Sequence, residues 1–334
     1  MKSERNLVDR AASASRSRIL VYVVNPEQNG QHYLPLISKD FPAAEVRFAT
    51  NVEIANSEIV EADVLLTYGM LVDDELIGRA NRLKWIHSLI SGLDWLDNLQ
   101  TLGTDVIVTS ARGMHGPPVA EMALLMMLAL SRRLPLFVAN QRDSRWQRVV
   151  GSLLFRKTAG ILGVGKIGQE LALRSKAMGM NIIGISSTER AVPGFNRIVL
   201  REKLTEIAPE LDFLVTLLPL TPQSRGIVND AVFSALKPEA FLVHLARGPI
   251  VSEPALLDAL ANRRIAGAGL DVFDIEPLPS SHPLWQMDNV IITPHNAGIY
   301  DDYARDSYSL FAENLRLLLA GRAAEMKNRV DRLR

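Results

Sequence analysis

The 334-residue sequence contains no cysteine, so disulfides, zinc–thiolate centres and thiol nucleophiles are excluded. It also lacks an excess of charge of either sign, because 37 Lys and Arg residues balance 37 Asp and Glu residues. A neutral chain presents no broad electrostatic footprint for nucleic acid or an anionic membrane, and we expect neither as a partner. No run of about 18 apolar residues is present, so no membrane span is predicted. We predict no metal site.

The first 17 residues, MKSERNLVDRAASASRS, lack the apolar central run of a signal peptide. They predict a polar, disordered tail, and the expected location of the protein is the cytoplasm. What the sequence does have is 48% apolar residues over a length that suggests about two domains. That share is enough for full hydrophobic cores.

Short β-rich runs alternate with helix-like stretches, a pattern that predicts a parallel α/β fold. RILVYVV (18–24) and DVLLTY (63–68) predict strands, and DDELIGRANRL (73–83) predicts a helix. PPVAEMALLMMLALSRRL (117–134) is apolar almost all round, which predicts a helix buried between layers. The polar stretch NQRDSRWQRVVGS (140–152) predicts a linker.

The alternation becomes regular from residue 157. The predicted strands are 158–162, 181–185, 212–217, 241–245, 265–270 and 289–292, and the predicted helices are 166–178, about 200–208, 230–236 and 253–262. The last segment, 303–322, is amphipathic and predicts a helix that stops near Gly321.

The segment GILGVGKIGQE carries a glycine fingerprint between an apolar strand and a helix, the context that a dinucleotide site needs. Gly163 allows a tight turn, Gly165 lets the backbone approach a pyrophosphate, and Gly168 lets the helix pack close to the strand. The pyrophosphate is expected at the helix N-terminus, near Lys166 and Ile167.

The following strand, in NIIGISSTER, ends in Ser186 and Ser187, where an NAD-selective site usually has an acidic residue. Two hydroxyls can donate to a 2′-phosphate without the repulsion that a carboxylate would exert, and Arg190 can pair with its charge. These residues predict NADP(H) as the preferred cofactor. NAD(H) is the alternative if Glu189 turns back to the ribose.

Three later stretches place polar residues at the carboxyl ends of strands, where open α/β sheets bind ligands. VHLARGPIVSE carries Arg247, GLDVFDIEPLP carries Asp271, Asp274 and Glu276, and TPHNAG carries His295. Because Asp274 and Glu276 are two residues apart, spacing alone does not choose between them.

From about residue 62 to its end the chain resembles the D-2-hydroxyacid dehydrogenase family, which is D-isomer-specific and nicotinamide-dependent. The motifs that carry the resemblance are ISGLDWLD, VAEMALLMMLAL, GILGVGKIGQ, LPLTPQSRGIVN, LARGPIVSE, GLDVFDIEPLP and TPHNAG. The resemblance implies two Rossmann-like or flavodoxin-like α/β domains with parallel sheets and a cleft between them. A dinucleotide-binding domain, 111–296, would be inserted into a substrate domain made of 18–110 and 297–334. A homodimer is also implied.

The resemblance implies three catalytic residues. His295 would be the general acid–base, Glu276 would bond the other imidazole nitrogen and stabilise imidazolium, and Arg247 would bind the substrate carboxylate and polarise the carbonyl. The backbone of Ile90, Ser91 and Gly92 would donate N–H groups to that carboxylate, and Arg247 and His295 would also contact substrate.

Asp271 would accept a bond from the nicotinamide carboxamide, Val119 would line the nicotinamide pocket, and Leu218, Pro219 and Ser224 would line the adenosine side. The remaining implied cofactor contacts are Leu245, Ala246, Arg247, His295 and Gly298. His115 lies by resemblance near the substrate mouth, with a structural role left open. His244 departs from the family, which usually has Asn in that strand.

The implied function is reversible reduction of a small 2-oxo acid, glyoxylate or hydroxypyruvate foremost, to its D-2-hydroxy acid. One alternative is oxidation of 3-phosphoglycerate, disfavoured because 334 residues leave no room for an appended regulatory domain. The other is a nucleotide-sensing corepressor, disfavoured because the sequence offers no long polar tail for partners.

Overall fold

The computed structural model describes residues 17–23 and 30–331 and divides into two compact units. The first unit comprises Met1–Met114 and Tyr300–Arg334, and the second comprises His115–Ile299. The predicted tail lies outside the described residues except for Ser17, whose carbonyl accepts a bond from the N–H of Glu45. The domain boundaries expected from the sequence, 110/111 and 296/297, stay predictions; they fall four and three residues before the limits of these units.

The described part of the first unit is built on a parallel sheet in the order β2-β1-β3-β4-β5. Its elements are β1 (Arg18–Tyr22), α1 (Tyr33–Asp40), β2 (Glu45–Ala49), α2 (Val52–Glu58), β3 (Val64–Thr67), α3 (Asp74–Gly78), β4 (Trp85–Ser88) and β5 (Ile107–Ser110). The chain returns to this unit in the helix Tyr303–Leu319, where the ring of Phe311 stacks on Trp85 with centroids 5.1 Å apart.

The second unit is built on a parallel sheet in the order β12-β11-β10-β9-β6-β7-β8. Its elements are α4 (Gly116–Ser131), α5 (Leu134–Arg142), β6 (Thr158–Leu162), α6 (Lys166–Ala177), β7 (Asn181–Ser186), β8 (Arg197–Leu200), α7 (Leu204–Ile207), β9 (Phe213–Thr216), α8 (Asp230–Ala235), β10 (Phe241–His244), α9 (Glu253–Ala261), β11 (Gly267–Leu270) and β12 (Val290–Ile292). The C-terminal helix is α10. The predicted fold class, α/β with two parallel sheets, is confirmed.

The strand order of the second sheet reverses at β6, which pairs with β7 on one side and β9 on the other. Crevices form at such a reversal, beyond the carboxyl ends of the strands, and ligands bind there in open α/β sheets. The glycine fingerprint follows β6 directly. The local sequence pattern and the topology therefore point to the same edge of the sheet.

Several predicted elements differ from the structure. Residue 200 belongs to β8, not to a helix over 200–208, because Arg197–Leu200 pairs with Ile183–Ser186, and only Leu204–Ile207 is α-helical there. The predicted helix 73–83 is confined to α3. The predicted linker 140–152 begins inside α5, which extends to Arg142.

The helix predicted over 117–134 is α4, which ends at Ser131 before Arg133 adopts a left-handed φ of 55°. It is not buried all round: Leu125 is 55% exposed and Leu128 is 39% exposed. The opposite face, with Ala123, Met126 and Met127, packs in the core of the second unit. In the described chain no single helix has the length and apolarity to cross a membrane; α4 and α5 satisfy both criteria only as a pair, bent by 67°.

Candidate active site

The glycine-rich turn after β6 shows which glycines the protein itself requires. Gly163 has a φ of +115°, and a Cβ there would lie 2.7 Å from the carbonyl carbon of Leu217. A Cβ on Gly168 would lie 2.1 Å from the carbonyl oxygen of Gly163. A Cβ on Gly165, by contrast, would meet nothing within 4 Å. Protein packing does not explain the missing side chain at Gly165, and open space over a helix N-terminus fits a pyrophosphate.

The predicted phosphate-binding helix begins where expected, with Gly165 as the N-cap residue of α6. Lys166 is exposed and Ile167 is half-buried in its first turn. The geometry of this segment fits a dinucleotide, whose binding by these residues stays a prediction.

The end of β7 carries the residues predicted to read the ribose. Ser186 is half-buried, whereas Ser187, Glu189 and Arg190 are exposed. Arg190 donates from Nη1 to Oγ1 of Thr188 at 2.9 Å and from Nη2 to the carbonyl of Val164 at 3.4 Å. Because Val164 lies inside the glycine-rich turn, the guanidinium lies beside the turn.

The structure places His295 and Glu276 in direct contact. Nδ1 of His295 lies 2.7 Å from Oε2 of Glu276, and the other carboxylate oxygen accepts the N–H of Phe273 at 2.9 Å. Burial raises the pKa of the Glu276 carboxyl, but the bonds from His295 and Phe273 together with nearby positive charge lower it below its usual value. The geometry therefore selects Glu276 over Asp274 as the partner of the imidazole.

His295 lies in a tight turn with a left-handed φ of 53°. Buried Asp271 holds this turn: its carbonyl accepts the His295 N–H at 2.8 Å, and its carboxylate accepts the N–H groups of Asn296 at 2.8 Å and Ala297 at 3.0 Å. The hydroxyl of Thr293 also donates to Asp271. Burial raises the pKa of Asp271, and these bonds offset part of the shift. The predicted nicotinamide contact of Asp271 stays a prediction; its hold on the His295 turn was missed.

Arg247 follows β10, and its Nη1 donates to the carbonyl of Ala246 at 2.7 Å. Buried His115, the N-cap residue of α4, lies close enough to Arg247 for the guanidinium charge to affect its pKa. Burial, together with the smaller effect of the Arg247 charge, lowers the pKa of His115 to about 4. A Cβ on Gly298 would lie 3.1 Å from Cδ2 of His115. His115, Arg247 and the turn after His295 therefore belong to one neighbourhood.

The other residues predicted to contact the cofactor lie mostly at strand ends of the second unit. Leu218 and Pro219 follow β9, Leu245 and Ala246 follow β10, and Val119 is buried on α4. Ser224 is only 1% exposed, and its hydroxyl donates to the carbonyl of Pro219 at 2.8 Å. Ser224 shapes its own loop, and its predicted contact with adenosine has no support from its exposure.

Ile90, Ser91 and Gly92 follow β4 in the first unit and are half-buried. The preceding residue, Leu89, is fixed at both backbone groups: its N–H donates to the carbonyl of Thr67 at 2.8 Å, and its carbonyl accepts the hydroxyl of Tyr303. Tyr303 was not singled out from the sequence. The available signal was a tyrosine on the apolar face of an amphipathic helix, because a buried tyrosine needs a partner for its hydroxyl.

Comparison with known proteins places this geometry in a family. The family model "D-isomer specific 2-hydroxyacid dehydrogenase, NAD binding domain" matches residues 124–297. D-3-phosphoglycerate dehydrogenase of Methanocaldococcus jannaschii is 34% identical over 287 residues, which cover 84% of this chain and 55% of that protein. The chain thus spans about half the length of the curated phosphoglycerate dehydrogenases that it matches.

Two solved structures are similar over nearly the whole chain. A D-isomer specific 2-hydroxyacid dehydrogenase from Xanthobacter autotrophicus Py2, in complex with NADPH and MES, is 32% identical with a TM-score of 0.79, covering 94% of this chain and 98% of its own. An NADPH-dependent glyoxylate/hydroxypyruvate reductase from Sinorhizobium meliloti, in complex with NADP and sulfate, is 27% identical with a TM-score of 0.80, covering 95% and 98%. This chain belongs to the D-isomer specific 2-hydroxyacid dehydrogenase family.

Proposed function

We propose that the protein is an NAD(P)-dependent oxidoreductase that reduces a small 2-oxo acid to its D-2-hydroxy acid and catalyses the reverse reaction. The observation that carries the proposal is the 2.7 Å contact between His295 and Glu276 beside Arg247, at the strand-end edge that also carries the glycine-rich turn. A bound reduced nicotinamide supplies a hydride to the carbonyl carbon.

His295 supplies the proton in this proposal. Because Nδ1 is engaged by Glu276, Nε2 is the nitrogen that presents a proton to the carbonyl oxygen, from a side chain 41% exposed. Glu276 stabilises the charged imidazolium before transfer and fixes the orientation of the ring. Its lowered pKa keeps the carboxylate ionised at neutral pH, as this role requires.

Arg247 binds the substrate carboxylate and polarises the carbonyl that accepts the hydride. A planar guanidinium can donate two parallel hydrogen bonds to a carboxylate, which a lysine cannot. The N–H groups of Ile90, Ser91 and Gly92 are proposed as further donors to the carboxylate. The bonds at both ends of Leu89 support a loop that is rigid before substrate arrives.

NADP(H) is the proposed cofactor. Ser186 and Ser187 bring no negative charge to the strand end, and Arg190 lies beside the glycine-rich turn through its bond to Val164. The two solved relatives named above are complexes with NADPH and NADP. The exposed carboxylate of Glu189 is the feature that favours NAD(H) instead.

Glyoxylate and hydroxypyruvate are the proposed substrates, and the Sinorhizobium reductase supports them by its own activity. Oxidation of 3-phosphoglycerate is the second candidate, favoured by the 34% identity to the Methanocaldococcus enzyme. The nucleotide-sensing corepressor is a third possibility, in which the same residues would bind cofactor without turnover.

A matched panel separates these possibilities. Initial rates are measured with glyoxylate, hydroxypyruvate and pyruvate against NADPH and against NADH, and with 3-phosphoglycerate against NADP⁺ and NAD⁺. We expect NADPH-dependent reduction of glyoxylate and hydroxypyruvate, and D-glycerate as the product of the latter by chiral chromatography. Faster oxidation of 3-phosphoglycerate would favour the second candidate, and cofactor binding without turnover would favour the third.

The role of Arg190 has its own control in the same assay. Arg190→Gln should lower kcat/KM for NADPH by about tenfold or more, because a charge-assisted hydrogen bond contributes about 1.5–3 kcal/mol, while kcat/KM for NADH stays near wild type. An equal loss of kcat/KM for both cofactors would show that Arg190 does not recognise the 2′-phosphate. If the wild-type protein prefers NADH, Glu189 is implicated as the residue that binds the ribose.

A homodimer is proposed, formed through the second unit. Exposed apolar side chains lie along α4, α5 and the following segment: Leu125, Leu128, Phe137, Val138, Trp146 and Val150. Trp146 is 93% exposed, and apolar patches of this kind mark interaction surfaces. Light scattering should give a molar mass of twice the 36.9 kDa of one chain. In Leu128→Arg the measured mass should fall toward that of a single chain. A monomeric wild type would contradict the dimer.

Action in the cytoplasm stays a prediction.

A further inference from the structure

Buried His244 lies beneath the loop that carries Arg247. It is the last residue of β10 and pairs in register with Thr216, the last residue of β9. Its Nδ1 lies 2.5 Å from Oγ1 of Thr216, and its Nε2 lies 3.3 Å from the carbonyl oxygen of Gly248. Both ring nitrogens therefore contact a fixed group of the second unit.

The partners of His244 determine which nitrogen carries the proton. A carbonyl oxygen can only accept, so Nε2 donates to Gly248, and Nδ1 then accepts the hydroxyl proton of Thr216. Burial lowers the pKa of His244 to about 4, which keeps the ring neutral with this single proton at neutral pH. The imidazole acts as a rigid spacer between β9 and the loop after β10.

Gly248, which follows Arg247 directly, begins a tight turn. The N–H of Ile250 donates to the carbonyl of Arg247 at 3.0 Å, and the N–H of Val251 donates to the carbonyl of Gly248 at 3.1 Å. The carbonyl of Gly248 thus accepts two bonds, one from within the turn and one from His244. The second bond ties the turn to the sheet.

The same turn lies against the segment that carries Glu276. A Cβ on Gly248 would lie 2.1 Å from the carbonyl carbon of Phe273 and 2.5 Å from the nitrogen of Asp274. The N–H of Phe273 in turn donates to Oε1 of Glu276. A movement of the turn at Gly248 would therefore displace Arg247 directly and Glu276 through Phe273.

We propose that His244 is a positioning residue for the reaction: its bond to the Gly248 carbonyl holds the turn that carries Arg247 and, through Phe273, the carboxylate that orients His295. The inference rests on the proposed function for the roles of Arg247 and Glu276. In this proposal His244 acts through its bonds to Thr216 and Gly248 and not by contact with the substrate.

Two variants separate positioning from simple packing. The double variant Thr216→Val with His244→Leu removes the threonine hydroxyl and the imidazole together. Neither group is then left buried without the other, which limits the loss of stability. His244→Gln keeps an N–H donor at the distance of Nε2. If the double variant does not fold, His244→Met takes the place of His244→Leu in it, because a flexible side chain of similar volume adapts to the same space.

In the double variant we expect KM for the 2-oxo acid to rise about tenfold, the scale of one hydrogen bond, with kcat lowered and the Kd for NADPH unchanged. His244→Gln should stay within about threefold of wild type on the same scale. Hydrogen–deuterium exchange of the peptide 245–251 should be faster in the double variant than in wild type and His244→Gln. This second readout needs no catalysis.

The outcomes are distinct. Equal exchange in all three proteins, or a KM raised as much by glutamine as by leucine, would overturn the positioning role. If wild type reduces no 2-oxo acid while exchange differs as expected, the proposed function fails and the structural hold of His244 on the turn stands.

Discussion

At the scale of single residues, the site depends on how each imidazole is held. Glu276 engages Nδ1 of His295, which leaves Nε2 as the nitrogen proposed to transfer the proton, whereas burial keeps His115 and His244 neutral. The second unit has two histidines with a carboxylate partner, His282 and His295: Nε2 of His282 lies 3.3 Å from Oε1 of Glu253, but its side chain is 13% exposed against 41% for His295. The environment, not the residue type, assigns the chemistry.

Arg247→Lys should weaken substrate binding more than cofactor binding. Lysine keeps the positive charge but loses the paired donors of the guanidinium, so we expect KM for glyoxylate to rise about tenfold or more. The Kd for NADPH, measured by fluorescence titration, is the control and should change little. An unchanged KM would show that Arg247 does not bind the substrate carboxylate.

At the scale of elements, the turn between β6 and α6 separates two glycines that the fold needs, Gly163 and Gly168, from Gly165, which we propose the cofactor needs. Gly168→Ala should destabilise the protein, because its Cβ would lie 2.1 Å from the Gly163 carbonyl oxygen. Gly165→Ala should leave the melting temperature near wild type, since nothing lies within 4 Å of the added Cβ, and yet raise the Kd for NADPH. Tight NADPH binding by a folded Gly165→Ala protein would place the pyrophosphate elsewhere.

Local signals predicted this element well. The strand Thr158–Leu162 has the predicted bounds, and α6 begins at the predicted Lys166, because an apolar run, a glycine turn and a helix start are adjacent in sequence. The helix predicted from about residue 200 was wrong at its start because pairing of β8 with β7 decided the conformation of that residue. Sequence could not show the bonds of Asp271 to residues 293–297 or of Tyr303 to Leu89, which join distant segments.

At the scale of the whole molecule, buried neutral histidines tie stability to pH. Burial lowers the pKa of His87 to about 3 and the pKa values of His115 and His244 to about 4. In the unfolded chain each titrates near about 6.5. As the pH falls below that value, the unfolded state binds protons first. The free energy of unfolding then falls by about 1.4 kcal/mol per pH unit for each histidine, until the pH reaches the pKa of that histidine in the folded protein.

The melting temperature should therefore fall as the pH is lowered from 7 to 5. His87→Asn keeps an acceptor for the Thr109 hydroxyl, which lies 2.7 Å from Nδ1 of His87, and removes one titrating group. Its melting temperature should depend less on pH than that of wild type, whereas His32→Asn at an exposed position should behave as wild type. Identical pH slopes in wild type and His87→Asn would contradict this origin of acid sensitivity.

The most direct test of the proposed activity compares wild type and His295→Gln with NADPH and glyoxylate under saturating conditions. Glutamine keeps a hydrogen-bonding group but cannot transfer the proton. We expect wild type to oxidise NADPH and the variant to turn over more slowly by about 10² or more, the scale of losing a general acid, with an unchanged Kd for NADPH. Turnover of the variant near the wild-type rate would contradict the role of the His295–Glu276 pair.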